Sequence, residues 1–215
     1  MIPLALSRVH FPVTTLGPGA RIGVWFQGCS IRCPGCVSLD TWAHDRGRST
    51  VDAVLHAISP SLATADGITV SGGEPFDQPE ALFGLLAAWR AVHAGDILVY
   101  SGYSLENLAP SLARFENLID ALITDPFRND LPQTLALRGS DNQRLVTLTP
   151  LGEERFRSYE RPLAPKDRSF DIMFDDETGG VFLAGIPRPG DMARLTELLR
   201  EAGHLATTSA DVRPR

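Results

Sequence analysis

The chain has 215 residues and a mass of 23.3 kDa, is 43% hydrophobic, and carries a formal net charge of -6 with a pI near 5.3. That length suits one domain, or one domain with an appendage, and the apolar fraction supports a substantial core. The acidic balance argues against nucleic acid or an anionic membrane as the main partner.

The opening stretch, Met1 to Arg8, has neither a basic leader nor an apolar core long enough for a signal peptide. Arg21–Phe26 then reads as a strand running into a loop that holds all three cysteines of the chain, Cys29, Cys33 and Cys36. Ser49 or Thr50 caps a short helix with Val51, Val54, Leu55 and Ile58 on its apolar face. Gly67–Ser71 reads as a buried strand, and Pro79-Glu80 opens a helix with Leu82, Leu85, Leu86 and Trp89 on one side, closing near Gly95. The longest apolar stretch, around Ala81 to Ala94, is broken by Arg90 and too short to span a bilayer, so the expected location is the cytoplasm, where thiols stay reduced. Asp96–Tyr100 is the next strand, a helical stretch starts at Ser104, and strands follow at Leu118–Thr124 and Arg144–Leu148. Repeated strand–helix alternation implies a parallel sheet with crossover helices, either doubly wound or a partial barrel. No internal repeat of 20–50 residues is evident.

Residues 151–166 are charged and punctuated by proline, as in a linker or an irregular excursion. Two strands, Ser169–Phe174 and Val181–Ile186, flank a Gly-rich turn and predict a hairpin. Asp191 caps a helix with Met192, Leu195, Leu198 and Leu199 inward, and the tail after Ala206 is expected to be disordered.

The cysteine loop reads C-x3-C-x2-C and leaves no fourth cysteine. Iron–sulfur cubanes normally take four thiolates, so three would leave one iron with an open position. A disulfide would strand one thiol without any sign of secretion. A structural zinc would have to borrow a fourth ligand such as His44. The iron–sulfur reading leads. In parallel α/β folds, ligands gather at the carboxyl ends of strands. Two more loops there carry chemistry. Ser71-Gly72-Gly73-Glu74-Pro75 offers backbone amides that a ligand can approach and a carboxylate for a cation, or else is a plain glycine turn with a solvated Glu. Ser101-Gly102-Tyr103 offers a hydroxyl to a sugar, or else Ser101 caps the following helix. Asp125, at a strand end, either orients a ligand or sits in a solvated turn before Pro126.

Together the cysteine loop and the Gly-Gly-Glu loop resemble the radical S-adenosylmethionine superfamily. Gly17-Pro18-Gly19 with Arg21, Gln27-Gly28-Cys29, Asp40-Thr41-Trp42 and Arg138-Gly139-Ser140-Asp141-Asn142-Gln143 narrow this to the activating enzymes of glycyl-radical enzymes. Among those, the resemblance is to the anaerobic ribonucleotide reductase activases, over roughly residues 10–150. It departs from the wider superfamily at Gly35, where an aromatic residue often lies near the adenine.

The resemblance implies an α/β fold with a partial (β/α)6-type parallel barrel, and the C-terminal β-hairpin plus helix read from the residues at 167–203 extends past the short reductase activases. The chain then divides into a core domain over 1–150, a linker or irregular excursion over 151–166, an extension over 167–205 and a tail over 206–215. The resemblance also implies a 4Fe-4S cluster on Cys29, Cys33 and Cys36, and S-adenosylmethionine held by Ser71, Gly72, Gly73 and Glu74, with Ser101 as a ribose contact. No catalytic side chain is expected beyond those ligands. The implied activity is reductive cleavage of S-adenosylmethionine to a 5′-deoxyadenosyl radical that activates a glycyl-radical enzyme. Flavodoxin or ferredoxin would donate the electron, and neither nucleic acid nor membrane would be a partner. The alternatives are a radical enzyme acting on a small molecule or peptide, and a non-catalytic iron–sulfur sensor or scaffold.

Overall fold

The computed structural model describes residues 1–175, 180–188 and 190–204. Seven strands form one sheet: β1 (Pro3–Val13), β2 (Arg21–Phe26), β3 (Arg48–Thr50), β4 (Gly67–Gly72), β5 (Asp96–Tyr100), β6 (Ala121–Thr124) and β7 (Arg144–Thr147). Their order is β3-β1-β2-β4-β5-β6-β7, and the central four, β2, β4, β5 and β6, run parallel. The protein is therefore a mixed α/β fold with a large sheet rich in parallel pairing.

The edges depart from the all-parallel expectation. β1 and β3 were not anticipated as strands, and β1 pairs antiparallel with both β2 and β3. β7 also returns antiparallel, against β6. No crossover helix separates β6 from β7, and the intervening loop lets the chain reverse.

One face of the sheet buries Ile22, Val24, Phe26, Ile68, Val70, Ile97, Val99 and Leu122. Helices α1 (Val51–Ile58) and α2 (Pro79–Val92) cover it with Val54, Ile58, Leu82, Leu85, Leu86 and Trp89. Burying each such side chain contributes roughly 1.5–3 kcal/mol. Thr50 is the cap of α1, its hydroxyl accepting from the Ala53 N–H, and Pro79 takes the first turn of α2, where no amide donor is needed. Helix α3 (Leu105–Leu112) follows β5 and is capped by Ser104.

The opposite face is covered by chain that follows β7. Over 151–166 a linker was expected, but Pro150–Phe156 forms helix α4, and Phe156 is fully buried against Leu98, Ala121 and Ile123. The Thr149 hydroxyl accepts from the Gly152 N–H, and Pro150 opens the first turn. Glu153 and Glu154, among the charged residues that suggested a linker, form the outer side of this helix, and Arg155 turns to the buried Asp96 at 3.0 Å.

Strands β8 (Asp171–Asp175) and β9 (Gly180–Ala184) pair as an antiparallel hairpin, forming a separate two-stranded sheet. Met173 and Ala184 pack on Val13, Leu16 and Trp25. Both Asp171 oxygens accept from the chain before β2, from the Thr14 and Thr15 amides at 2.7 and 3.1 Å and their hydroxyls at 2.8 and 2.9 Å. The Arg8 guanidinium lies over the rings of both Trp25 and Phe182.

Helix α5 (Asp191–Glu201) begins at Asp191 with Gly190 at the cap, so Asp191 sits inside the first turn, where it accepts from the Arg188 N–H. None of its residues is buried, and Leu198, expected inward, is 52% exposed. The hairpin turn at 176–179 and the tail at 206–215 lie outside the described residues.

Arg21 and Asp96 form an ion pair at 2.6 Å across the sheet with both side chains fully buried. Arg21 also donates to the Thr69 hydroxyl and the Ile68 carbonyl. Removing one partner leaves the other charge buried and uncompensated. Asp96→Ala should lower unfolding free energy by roughly 3–5 kcal/mol. A denaturant midpoint unchanged from the wild type would contradict that assignment.

Candidate cluster and cofactor site

The three predicted loops all leave the same end of the parallel strands. Beyond β2, the Gln27 amide donates to the Ala5 carbonyl, and its side chain donates to the Asp40 and Ala43 carbonyls at 3.2 and 2.8 Å. Gly28 N–H donates to Thr41 O at 2.7 Å and Cys29 N–H to Trp42 O at 3.3 Å. The segment after the last cysteine thus folds back on the first, closing the loop. Inside it, Cys36 N–H donates to the Cys33 carbonyl, a turn in which Gly35 takes φ +77°.

All three cysteines are free thiols, Cys29 buried and the other two partly exposed. Burial pushes each thiol pKa up. Their mutual proximity adds to this, since Cys33 feels both Cys36 and Cys29, and Cys29 feels Glu74 and Cys36. Thiols held together and protonated in this way ionise when a cationic centre binds them, so their donor set suits an iron–sulfur cluster. Among the described residues, no three His, Cys, Asp or Glu side chains are grouped to hold a single metal ion. His44 lies against Gly28, where an added Cβ would fall 2.7 Å from its Nδ1.

The second loop is zipped to the first. Gly73 N–H donates to Phe26 O at 2.8 Å and Glu74 N–H to Gly28 O at 2.9 Å. A Cβ on Gly73 would sit 2.0 Å from the Gly28 carbonyl oxygen. Gly73 is therefore required by the cysteine loop itself, a reason the sequence, read for ligand approach, did not contain. Gly72 has φ +104°, and its Cβ would meet the Phe26 backbone at 2.5 Å. Ser71 lies in β4 in register with Trp25.

Glu74 is 1% exposed. Its Oε1 accepts from the Phe76 N–H at 3.0 Å and the Ser101 hydroxyl at 2.9 Å, and its Oε2 from the Gly102 N–H at 2.8 Å. Burial raises its pKa to about 7, against the lowering effect of those donors. A carboxylate has about four lone-pair positions, so Glu74 keeps room for a cationic ligand. Ser101 is not the helix cap, since Ser104 fills that place. Its hydroxyl orients Glu74 and accepts from the Tyr103 N–H at 3.1 Å.

Asp125 is neither solvated nor free. It pairs with Arg144 at 2.7 and 2.9 Å, and Arg144 in turn holds Glu106. A residue not anticipated from sequence is Asp77. It accepts from the Ser30 amide at 2.7 Å, the Ser30 hydroxyl at 2.9 Å and the Tyr103 hydroxyl at 2.8 Å. One carboxylate thus ties together the cysteine loop, the Glu74 loop and the loop after β5. An acid three residues beyond Glu74 carries no motif that would have marked it.

Three free thiols and a buried, near-neutral carboxylate at adjoining strand ends define an α/β protein built for a metal-centred cofactor. The family described as a 4Fe-4S single cluster domain matches residues 15–146. An anaerobic ribonucleoside-triphosphate reductase-activating protein of Salmonella typhi is 33% identical over 144 residues, 62% of this chain and 93% of that protein. The protein of the same name from Escherichia coli K12 is 31% identical over equal shares. A pyruvate formate-lyase-activating enzyme of Streptococcus mutans is 32% identical over 139 residues, 61% of this chain and 50% of that enzyme. The crystal structure of QueE from Escherichia coli overlaps 47% of this chain and 53% of its own at 17% identity, with a TM-score of 0.42, too slight to carry an argument. The chain belongs to the 4Fe-4S single cluster domain family. It is an enzyme, and its cofactor is a 4Fe-4S cluster. No helix among the described residues is long and apolar enough to cross a membrane.

Proposed function

We propose that this chain activates a glycyl-radical enzyme by abstracting a hydrogen atom from a backbone glycine of that partner. The observation that carries the reading is the likeness to reductase-activating proteins over nearly their whole length, together with the joined cysteine and Glu74 loops. When bound, the cluster and S-adenosylmethionine supply a reductively generated 5′-deoxyadenosyl radical.

The chain's own residues do the rest. Cys29, Cys33 and Cys36 would hold the cluster, and their loop is held by Gly28, Thr41 and Trp42. Glu74 would hold the ammonium of the methionine moiety, with Ser71, Gly72 and Gly73 lining the approach. The engagement of the Ser101 hydroxyl with Glu74 supports a role in aiming that carboxylate, in place of the ribose contact expected. Asp77 keeps the two loops in register.

The core unit in this proposal is the 1–150 segment, as a partial barrel, a reading favoured by its four parallel strands. The 167–205 segment is an extension, of which Met173 and Ala184 pack against Trp25. The electron donor is a flavodoxin or ferredoxin, and the setting is the cytoplasm without nucleic acid or membrane. A second reading, a small-molecule or peptide substrate, is favoured by the hairpin lying over Trp25 on the sheet face left free by α1 and α2.

The test incubates reduced enzyme and S-adenosylmethionine with a candidate glycyl-radical partner and records the electron paramagnetic resonance spectrum. A glycyl doublet on the partner, with deoxyadenosine formed in proportion, is the expected result. Equal deoxyadenosine without partner, and no doublet with it, would transfer the reading to a small substrate. No deoxyadenosine at all would favour the sensor.

A further inference from the structure

Trp42 lies six residues past the last cysteine, and the main chain pins it to the cysteine loop. Its carbonyl accepts from the Cys29 N–H at 3.3 Å, and its own N–H donates to the Leu39 carbonyl at 3.2 Å. Thr41, just before it, is fully buried, with its hydroxyl donating to the Ser38 carbonyl at 2.7 Å. The Gln27 side chain bridges the Asp40 and Ala43 carbonyls on either side of the same turn. These bonds fix the residue without using its indole nitrogen.

That nitrogen is the anomaly. Trp42 Nε1 is buried and has no hydrogen-bond partner. An indole N–H is a donor only, and a buried one usually finds an acceptor, as the Trp89 indole does in the Gly95 carbonyl at 3.0 Å. The group beside the Trp42 N–H is a sulfur. Burial pushes the Cys36 thiol pKa up, while the Ser38 amide, 3.4 Å from Sγ, and the Trp42 indole N–H pull it back. A neutral thiol is a weak acceptor, so this contact falls short of a full hydrogen bond, whereas a thiolate carries the charge that completes one. At Cys29 and Cys33 the corresponding donors are backbone amides, those of Arg32 and Ile31 and that of Phe127. Trp42 is the side chain among these donors, and so the one a substitution can remove.

We propose that Trp42 acts on the iron–sulfur cluster through Cys36: its indole N–H donates to that thiolate when the thiolate ligates iron, and this raises the cluster's reduction potential. The inference rests on the 4Fe-4S reading of the cysteine loop and is independent of what the substrate is. Hydrogen bonds to the sulfurs are among the factors that set such potentials. One added electron increases the negative charge on the ligating sulfurs, so a donor aimed at one of them favours the reduced state. The donor itself gains as well, because a buried N–H beside a thiol is satisfied only when that thiol gives up its proton on binding metal. Trp42 is a positioning residue in this role, since it touches a ligand of the cluster and no reacting atom.

The test uses the anaerobically reconstituted full-length protein and follows the electron paramagnetic resonance signal of the reduced cluster in a potentiometric titration. Two replacements delete the N–H: Trp42→Phe, and benzothienylalanine introduced at position 42, which keeps the shape of the indole with sulfur in place of N–H. Each should retain its iron and be harder to reduce, with the reduction equilibrium shifted about 3- to 10-fold toward the oxidised form. At 59 mV per tenfold for one electron, that is a potential about 30–60 mV more negative. Wild-type protein labelled with nitrogen-15 at its indole nitrogens should also show a hyperfine coupling to the reduced cluster, lost when benzothienylalanine replaces Trp42. The wild-type spectrum decides the matter if neither replacement keeps a cluster. An absent coupling, or an unchanged potential with benzothienylalanine whatever Trp42→Phe shows, would overturn the proposal, since a shift in the Phe variant alone traces to ring packing. A wild-type chain that assembles no cluster would instead end the 4Fe-4S reading, and this role with it.

Discussion

Alanine at any one of Cys29, Cys33 or Cys36 is expected to reduce anaerobic reconstitution from about four irons per chain to less than one. The chain has no fourth cysteine to take over a lost corner. His44, placed against Gly28, is not grouped with the remaining thiols. Because burial raises all three thiol pKa values, cluster assembly must release protons and should proceed more readily as pH rises. The measurement is iron and sulfide content with visible absorption. Full cluster content in any single variant would remove that cysteine from the site. One tight zinc per wild-type chain, with no charge-transfer absorption, would remove the cluster altogether.

Glu74→Gln should weaken S-adenosylmethionine binding by roughly 10- to 150-fold, the equivalent of a charge-assisted contact of about 1.5–3 kcal/mol. The change keeps the side chain's size but turns one acceptor into a donor facing the Gly102 amide. The pH profile separates charge from shape. Glu74 must lose its proton to meet an ammonium, and its pKa in the folded chain is about 7. Wild-type affinity should therefore be flat above pH 7 and fall about tenfold per unit below it, whereas the Gln variant should not vary. The sign for folding is opposite. A folded pKa raised from 4.5 to about 7 means this group favours the unliganded fold most fully below pH 4.5. That contribution declines as pH rises and is gone above pH 7. Calorimetric titration of reconstituted protein at several pH values is the measurement, and a parallel profile in wild type and variant would return the Glu74 loop to a structural turn.

Much of the site was legible because its chemistry is local in the chain. Cys29, Cys33 and Cys36 share one eight-residue loop, and Gly72-Gly73-Glu74 follows a strand whose buried run, Ile68 to Val70, announces itself by composition. The helices at Val51 and Pro79 carry apolar residues at helical spacing and recognisable first turns, and both form where the pattern places them. β1 was missed because Ser7, Arg8 and His10 interrupt its apolar residues, and its pairing with β3 joins Pro3 to Thr50. The helix at Pro150–Phe156 was hidden by its charges, of which Glu153 and Glu154 face outward while Arg155 turns to the buried Asp96.

Sequence alone thus placed the candidate ligands together and marked the faces that α1 and α2 bury, since spacing and periodicity state both without reference to the rest of the chain. What those residues meet was decided by tertiary structure. Ser101 reaches Glu74 across 27 positions, Asp77 reaches Ser30 across 47, and Asp171 reaches Thr14 across 157. The direction of β7 and the burial of the Trp42 indole N–H depend equally on packing. The physical reason is that a periodic pattern encodes how much of a side chain leaves water, while hydrogen bonds and charge pairs depend on which partner, arbitrarily far along the chain, the closed fold brings within 3 Å.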